Sequence, residues 1–277
     1  MEDIRKLYKN SQKEFAPYQP YLEHNRNYKS YIPATNSLLS NIVWEVYQVD
    51  DFDDSKSLAL PDLCADIMAF YTEERAYCYI MSASITMQQM KELDFFSRVK
   101  SIFGIRMRTG MLGNIFRCDI KDVGNTQIAL ADAFWNGKEF EEKLAFADQF
   151  SDRWKIMSDY LEKQFLLKKD ENNIVLYIVD RIISGQGQVS VCELEEQTGY
   201  SGRDLRKIMK DNLGISIKQL CEVTQFQWMC NCYKKNKGEI LLSDLALQAG
   251  YYDQSHMNRC CRKLTGKLPK NVIQMYA

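Results

Sequence analysis

Short apolar runs separated by loops fill residues 28–135 and predict a β-rich region. Cys64–Tyr71 and Ala76–Ala83 combine aromatic and apolar residues in the short lengths typical of strands. Phe103–Met107 is a further candidate strand. The segment Ser37–Val49 starts with a helical spacing and ends in a strand-like alternation. This part of the chain is therefore predicted to form a unit built on a sheet.

The spacing changes to three and four residues further along the chain. Apolar residues recur at this interval between 139 and 168, which predicts amphipathic helices. The polar run Lys168–Asn173 is the predicted linker, and the chain keeps a helical spacing from Ile174 onward. The predicted fold class is α+β, with a lead-in segment at 1–27, a mixed, β-rich N-terminal sensor or dimerisation domain ending in helices at 28–170, and an all-α domain at 171–277.

The all-α region contains an internal repeat. The first copy covers Leu194–Lys218 and the second covers Leu245–Lys270. Matching positions are offset by 51 residues at first, and by 52 after one inserted residue. The first matched set pairs Leu194, Gln197, Gly199 and Tyr200 with Leu245, Gln248, Gly250 and Tyr251. The same supersecondary unit is therefore predicted to occur twice.

Each copy predicts a helix, a glycine-containing turn and a second helix. This is the plan of a helix-turn-helix motif, here at about 190–214 and about 241–266. Ser190 and Glu193 match a capping box at the start of the first motif. Ser243 and Asp244 offer an N-cap of the same type at the start of the second motif.

The second helix of each motif is predicted to have a polar face suited to DNA. It carries the cationic and amide side chains that contact base edges and phosphates in protein–DNA complexes. The candidates for base contacts are Arg203, Arg206, Lys207, Gln254, Ser255, Asn258 and Arg259. The candidates for phosphate contacts are Lys210, Arg262, Lys263 and Lys267.

A candidate helix, Ile217–Lys234, lies between the two copies. At ~1.5 Å per residue it makes a rod of roughly 25 Å. Such a rod can hold two recognition helices about one turn of DNA, ~34 Å, apart on one face of a duplex. A single motif favours an ordinary helical hairpin, whereas two copies with basic second helices favour DNA binding.

Charge is unevenly distributed along the chain. The net charge of the whole protein is -1. Residues 201–277 nevertheless contain 13 Lys and Arg against 6 Asp and Glu, a net charge of +7. A basic C-terminal region on an acidic body suits a polyanionic partner.

Composition argues against several other classes of protein. No stretch of ~18 apolar residues is present, and the polar start lacks the apolar segment of a secretory signal, so we expect a cytoplasmic protein with no membrane partner. The 9 cysteines are expected to be reduced, and Cys230, Cys232, Cys260 and Cys261 are expected to pack as small apolar side chains. Only 2 histidines and no common catalytic motif are present, so no enzyme activity, no metal and no cofactor are expected.

The second copy contains the run Gly250-Tyr251-Tyr252-Asp253-Gln254-Ser255-His256-Met257-Asn258-Arg259, followed by Gly266 and Pro269. This stretch resembles the DNA-binding domain of the AraC/XylS family of transcription regulators, and the likeness covers 174–277. Cys261 stands where the family usually has phenylalanine, and Gln225 where arginine is usual. The resemblance implies two DNA-binding motifs, with Arg259 at the position of the family's arginine in the second recognition helix.

Three N-terminal stretches resemble the cupin-like domain of one AraC-type subgroup, a domain of unknown ligand. They are Tyr31–Pro33, Leu60–Ile67 and Phe103–Gly110, with Leu63 where the subgroup has glycine. Candidate ligand contacts in this region are Trp44, Asp62, Asp66, Arg106 and Arg108. The alternative for the two arginines is internal salt bridges with Asp62 or Asp66.

The leading hypothesis is a sequence-specific DNA-binding transcription regulator that responds to a small-molecule effector through its N-terminal domain. Two alternatives stay open. One is an effector-independent regulator whose N-terminal domain only dimerises, and the other is an enzyme domain fused to a DNA-binding tail. The expected partners are double-stranded DNA, a small-molecule effector, RNA polymerase and a second copy of the chain bound through the N-terminal domain.

Overall fold

A computed structural model describes residues 17, 19, 25–53, 60–82, 87–111, 127–133, 136–167 and 173–274. Most of the predicted lead-in segment, Cys118 and residues 168–172 of the predicted linker lie outside these ranges. The predicted domain boundary at 170/171 lies outside them as well, so the division into domains stays a prediction.

Six strands form one antiparallel sheet in the order β1-β2-β5-β3-β4-β6. They are β1 (Tyr28–Tyr31), β2 (Val43–Val49), β3 (Ala65–Tyr71), β4 (Ala76–Met81), β5 (Ser101–Met107) and β6 (Gln127–Ala129). The central strand β5 pairs with β2 on one side and β3 on the other. This register places Arg106 directly between Glu45 and Asp66.

Helices follow and flank the sheet. The α-helices are α1 (Met87–Lys91), α2 (Leu130–Ala133), α3 (Gly137–Phe146), α4 (Phe150–Leu167), α5 (Asn173–Ser184), α6 (Val191–Thr198), α7 (Gly202–Leu213), α8 (Ile217–Lys235), α9 (Leu242–Gln248), α10 (Gln254–Thr265) and α11 (Pro269–Gln274). Short 3-10 turns cover Leu38–Asn41 and Phe96–Arg98. Across the described ranges, we find no helix with the length and apolar character needed to cross a membrane.

Three clusters of buried apolar side chains hold these elements together. The largest joins one face of the sheet to α4, α5, α6, α7 and the first half of α8. The second lies around the last half of α8 with α9, α10 and α11, and it also contains Leu60. The third covers the other sheet face with Phe70, Phe95 and Phe96. Burial of this apolar area is the main favourable contribution to the fold, at about 25 cal/mol per Å².

The predicted α+β class is confirmed, since an antiparallel sheet precedes a helical region. The strands predicted at Cys64–Tyr71 and Phe103–Met107 are confirmed within two residues of their ends, and the alternation at the end of Ser37–Val49 forms β2. The strand predicted at Ala76–Ala83 forms β4, although Ala83 itself lies outside the described residues. The prediction of a helix at Ile217–Lys234 is confirmed by α8, whereas β1 and β6 were not predicted. The predicted N-cap of the second motif is wrong. Helix α9 begins at Leu242 after Leu241, which provides no side-chain cap. Ser243 and Asp244 therefore lie inside its first turn, and the Ser243 hydroxyl faces the Asp244 carboxylate at 3.4 Å.

Candidate nucleic-acid interface

The two motifs have the same backbone turns at matching positions. Gly199 ends α6 with φ 73°, and its counterpart Gly250 follows α9 with φ 76°. Gly214 and Gly266 end α7 and α10 with φ 70° and 71°. Positive φ is costly for residues with a Cβ, so glycine at all four positions allows the sharp turn and the stop of each second helix. The repeat seen in the sequence is thus a repeat of structure.

Both candidate recognition helices are capped at their N-termini. The Ser201 hydroxyl accepts a hydrogen bond from the Asp204 amide at the start of α7. The Asp253 carboxylate accepts one from the His256 amide at 2.6 Å at the start of α10. The caps satisfy amide groups that would otherwise lack a partner within the helix. Each helix is 12 residues long, and its first turn is stabilised by the cap.

The candidate base contacts lie on the outer faces of these helices. In α7 the buried face holds Leu205 and Met209, and in α10 it holds Met257 and Cys261. Asn258 is half-buried, and the other six are exposed: Arg203, Arg206, Lys207, Gln254, Ser255 and Arg259. Ser255, Asn258 and Arg259 also line an open concavity of about 520 Å³ together with Arg262, Lys263 and Leu268. The arrangement leaves amide and guanidinium groups facing solvent, where base edges can reach them.

The candidate phosphate contacts differ in exposure and in the contacts that their side chains make within the protein. Arg262 is exposed in the last turn of α10. Lys210 donates to the Gly214 carbonyl at 2.7 Å and so supports the end of α7. Lys263 forms an ion pair with Glu222 of α8 at 2.7 Å. Lys267 lies half-buried after α10. A phosphate near Lys263 would have to share its ammonium group with Glu222.

The helix α8 serves both motifs. Its first half contributes Ile217, Leu220 and Val223 to the core of the first motif. Its second half contributes Phe226 and Met229 to the core of the second. The helix has 19 residues and is about 28 Å long. Its two halves have apolar residues on different sides, so this single helix can pack against the cores of both motifs.

A polar joint fixes the second motif against α8. The Gln225 amide donates to the Ala249 and Gly250 carbonyls, at 3.3 and 2.7 Å. A Cβ on Gly250 would overlap the side chain of Gln188, which lies just before the first motif. Gln188 thus links the turn before the first motif to the turn of the second. No sequence signal marks it, because a lone glutamine in a turn has no periodicity or motif.

The candidate ligand contacts of the N-terminal region form two sets. Arg106 lies 3.4 Å from Asp62, 3.5 Å from Asp66 and 3.4 Å from Glu45. The alternative of internal salt bridges is therefore correct for Arg106. Burial raises the pKa of the Asp62 carboxyl, and it raises that of Asp66 to about 7, although Arg106 opposes both shifts.

Arg108 and Trp44 make up the second set. The Arg108 guanidinium lies over the Trp44 ring, 4.7 Å from its centroid, and its Nε donates to the Ser40 carbonyl at 2.9 Å. The ring contact and the hydrogen bond together hold the guanidinium against β2 and the 3-10 turn that precedes it.

The described cysteines are free thiols with no disulfide among them. Cys230, Cys232 and Cys261 are buried, as predicted for packing residues, whereas Cys260 is half-buried. Burial raises the pKa of Cys261 to about 11 and that of Cys230 well above its usual value. These thiols are protonated at neutral pH and are poor nucleophiles.

No family model matches the chain, and no curated protein matches it. Among solved structures, ToxT from Vibrio cholerae at 1.65 Å resolution is similar, with 11% identity and a TM-score of 0.44 over 90% of this chain and 99% of ToxT. ToxT from strain O395 bound to (E)-4-(8-methylnaphthalen-1-yl)but-3-enoic acid has 11% identity and a TM-score of 0.41, over 91% of this chain and 100% of that one. Identity at this level leaves function to be inferred from this chain's own residues.

Proposed function

We propose that the chain is a sequence-specific DNA-binding regulator of transcription. The observation that carries the proposal is the pair of equivalent motifs on α8, each with a capped recognition helix whose outer face is polar and basic. The apolar faces of both recognition helices are buried, so the polar faces are the ones available to a partner. A net charge of +7 over residues 201–277 adds a general attraction for phosphates.

The proposed division of labour follows exposure and side-chain chemistry. Arginine pairs with guanine, and glutamine and asparagine pair with adenine, in the major groove. We assign base contacts to Arg203, Arg206, Lys207, Gln254, Ser255, Asn258 and Arg259. We assign phosphate contacts to Lys210, Arg262, Lys263 and Lys267; Lys210 and Lys263 would meet a phosphate after rearrangement of their contacts with Gly214 and Glu222.

The sheet-containing unit is proposed to regulate this activity. Leu60 and Pro61, which precede β3, contact α8, so a change in the sheet can reach the motifs. A small-molecule effector and a second copy of the chain are the two candidate inputs, and RNA polymerase is the candidate target. Sedimentation of the full chain, with a thermal-shift screen of metabolites, distinguishes an effector-binding unit from one that only dimerises.

Selection of bound duplexes from a random library tests the main proposal. The full chain should enrich one sequence, whose affinity falls steeply with salt because bound phosphates release counterions. Enrichment of no sequence, from protein shown to be folded by circular dichroism, would rule the proposal out. Turnover of a small molecule by the chain would instead favour an enzyme fused to a DNA-binding tail.

A further inference from the structure

A short segment, Leu60–Leu63, connects the sheet to the helix that carries both motifs. We call it the strap. Leu60 is buried in the apolar cluster around the second half of α8, which also contains Phe226. The side-chain amide of Gln227, also on α8, donates to the Pro61 carbonyl at 2.7 Å. Gln227 is fully buried, so this bond lies inside the contact between the strap and α8.

The other side of the strap faces the sheet. The Thr109 hydroxyl donates to the Leu63 carbonyl at 3.1 Å. Leu63 has φ 68°, a left-handed conformation that is unfavourable for a leucine. It is also the position at which the resembled subgroup has glycine. The strap is therefore held in a strained shape by its contacts, and loss of some of them would let it relax.

Asp62 places the strap's only charge in a buried cluster. Its Oδ2 lies 3.4 Å from the Arg106 Nε, and the Asp66 Oδ1 lies 3.5 Å from the same Nε. The Arg106 Nη1 lies 3.4 Å from Glu45. One guanidinium thus faces three carboxylates. Two of them compete for a single N–H, and neither the Arg106 Nε nor the Asp66 Oδ1 has a well-formed hydrogen bond.

The surroundings of the cluster supply few further charges. From β1 the Tyr28 hydroxyl donates to Glu45. From β2 the Tyr47 ring lies 5.3 Å from the Arg106 guanidinium. Cys64 lies next to the two aspartates, and burial raises the pKa of its thiol, so it stays protonated; Arg108 approaches the same thiol. With all carboxylates ionised, three negative charges face one buried arginine.

We propose that Asp62 and Asp66 share a proton beside Arg106, and that release of this proton loosens the strap from α8. While the proton is present, one aspartate is neutral and the other pairs with the arginine. Without it, two adjacent carboxylates repel each other inside the protein. Asp62 is the one on a strained segment, so its movement relieves the repulsion and draws Leu60 and Pro61 away from α8. The cluster is then a pH-sensitive switch at the contact between the two parts of the chain.

The direction and size of the effect follow from proton linkage. In the closed arrangement burial raises the pKa of Asp66 to about 7; departure of the strap lets water reach the cluster and returns this pKa toward its ordinary value of 3.8, and the two aspartates titrate together. A raised pKa means that protons stabilise the closed arrangement. This stabilisation is complete below about pH 4 and is lost as pH rises through 7. The ratio of closed to open molecules should fall about tenfold between pH 6 and pH 8.

Hydrogen exchange of the full chain measures this ratio directly. The amides of Leu60 and Cys64 report on the strap, because they donate to Gln19 and Asp62 respectively. After correction for the intrinsic effect of pH, their protection should fall about tenfold from pH 6 to pH 8. In Asp66→Asn, which cannot ionise, protection at the two pH values should be equal. Asp62→Asn gives a second test with the same expectation if either variant is unstable.

Asp51→Asn is the matched control. Asp51 is exposed at the edge of the same sheet, where it bonds Asn27, and it already has a left-handed φ that asparagine tolerates. This variant should retain the full tenfold change. Wild-type protection that does not change with pH, or a change that persists in both Asp66→Asn and Asp62→Asn, would overturn the proposal. The measurement needs no DNA, so its failure is separate from failure of the proposed function.

Discussion

Arg259 is an exposed guanidinium in the middle of α10 and lines the open concavity on that helix. We expect Arg259→Ala to weaken binding to the selected site by about 1–3 kcal/mol, the value of a bidentate base contact. Binding to random duplex should weaken much less. Gel shifts on both duplexes measure the difference. Lys100→Ala, which removes an exposed cation from the sheet region, is the control and should change neither affinity. Equal losses on both duplexes would make Arg259 a phosphate contact.

Glu222 of α8 forms an ion pair with Lys263, a candidate phosphate contact of α10. Glu222→Gln removes a negative charge and frees the ammonium group. We expect affinity for any duplex to rise, with a steeper dependence on salt because one more phosphate can be neutralised. Stability should change by less than about 1 kcal/mol, since the lysine is exposed. A fall in affinity would instead show that Glu222 is needed to orient Lys263.

The hydrogen bonds of the first N-cap were predicted correctly because they join residues close together in the sequence. Ser190 and Glu193 form both bonds of the predicted capping box, which needs only four consecutive residues. The pairing of Arg106 with Asp62 and Asp66 depends instead on the order of the strands. The sequence offered it only as one of two alternatives, because no local pattern sets which strand lies beside β5.

At the scale of elements, Gly250 and Gly199 form a matched pair for testing the joint between the motifs. Both have φ near 75°, but a Cβ on Gly199 meets nothing within 4 Å, whereas one on Gly250 overlaps Gln188. Gly199→Ala should therefore cost about 1 kcal/mol from backbone strain alone. Gly250→Ala should cost more, and it should also weaken DNA binding, since the Gln188 side chain must move away from the turn of the second motif. Thermal unfolding and gel shifts of both variants check this, and equal effects would contradict it.

The ends of elements with a regular hydrophobic periodicity were predicted almost correctly. The ends that depend on packing against distant residues were not. The whole of α8 was predicted within one residue, because its apolar residues recur over its length. The start of α9 was misplaced, because Leu242 packs into the second core and extends the helix ahead of the polar residues that suggested a cap. The contacts of Gln188 and Gln225 with the turn at Gly250 could not be predicted either, because they join residues that are distant in sequence.

At the scale of the whole molecule, α8 and the joint determine how the two motifs meet a duplex. The helix is about 28 Å long, close to one turn of DNA at ~34 Å. Its bonds to the second motif through Gln225 and through the Glu222–Lys263 pair restrain rotation of that motif. The recognition helices are therefore expected to enter successive major-groove segments on one face, within a site of roughly 15–20 base pairs for one protomer.

Insertions between the two halves of the selected site test this geometry. Five base pairs rotate the second half by about half a turn, which moves it to the far side of the duplex, so the affinity gained from two motifs should be lost. Ten base pairs restore the face but add about 34 Å, more than α8 can span, so binding should remain weak. Gel shifts on the three duplexes measure both effects, with a site carrying substitutions outside the two halves as the control. Full affinity on the ten-base-pair insertion would require the motifs to separate, which would contradict the rigid connection through α8.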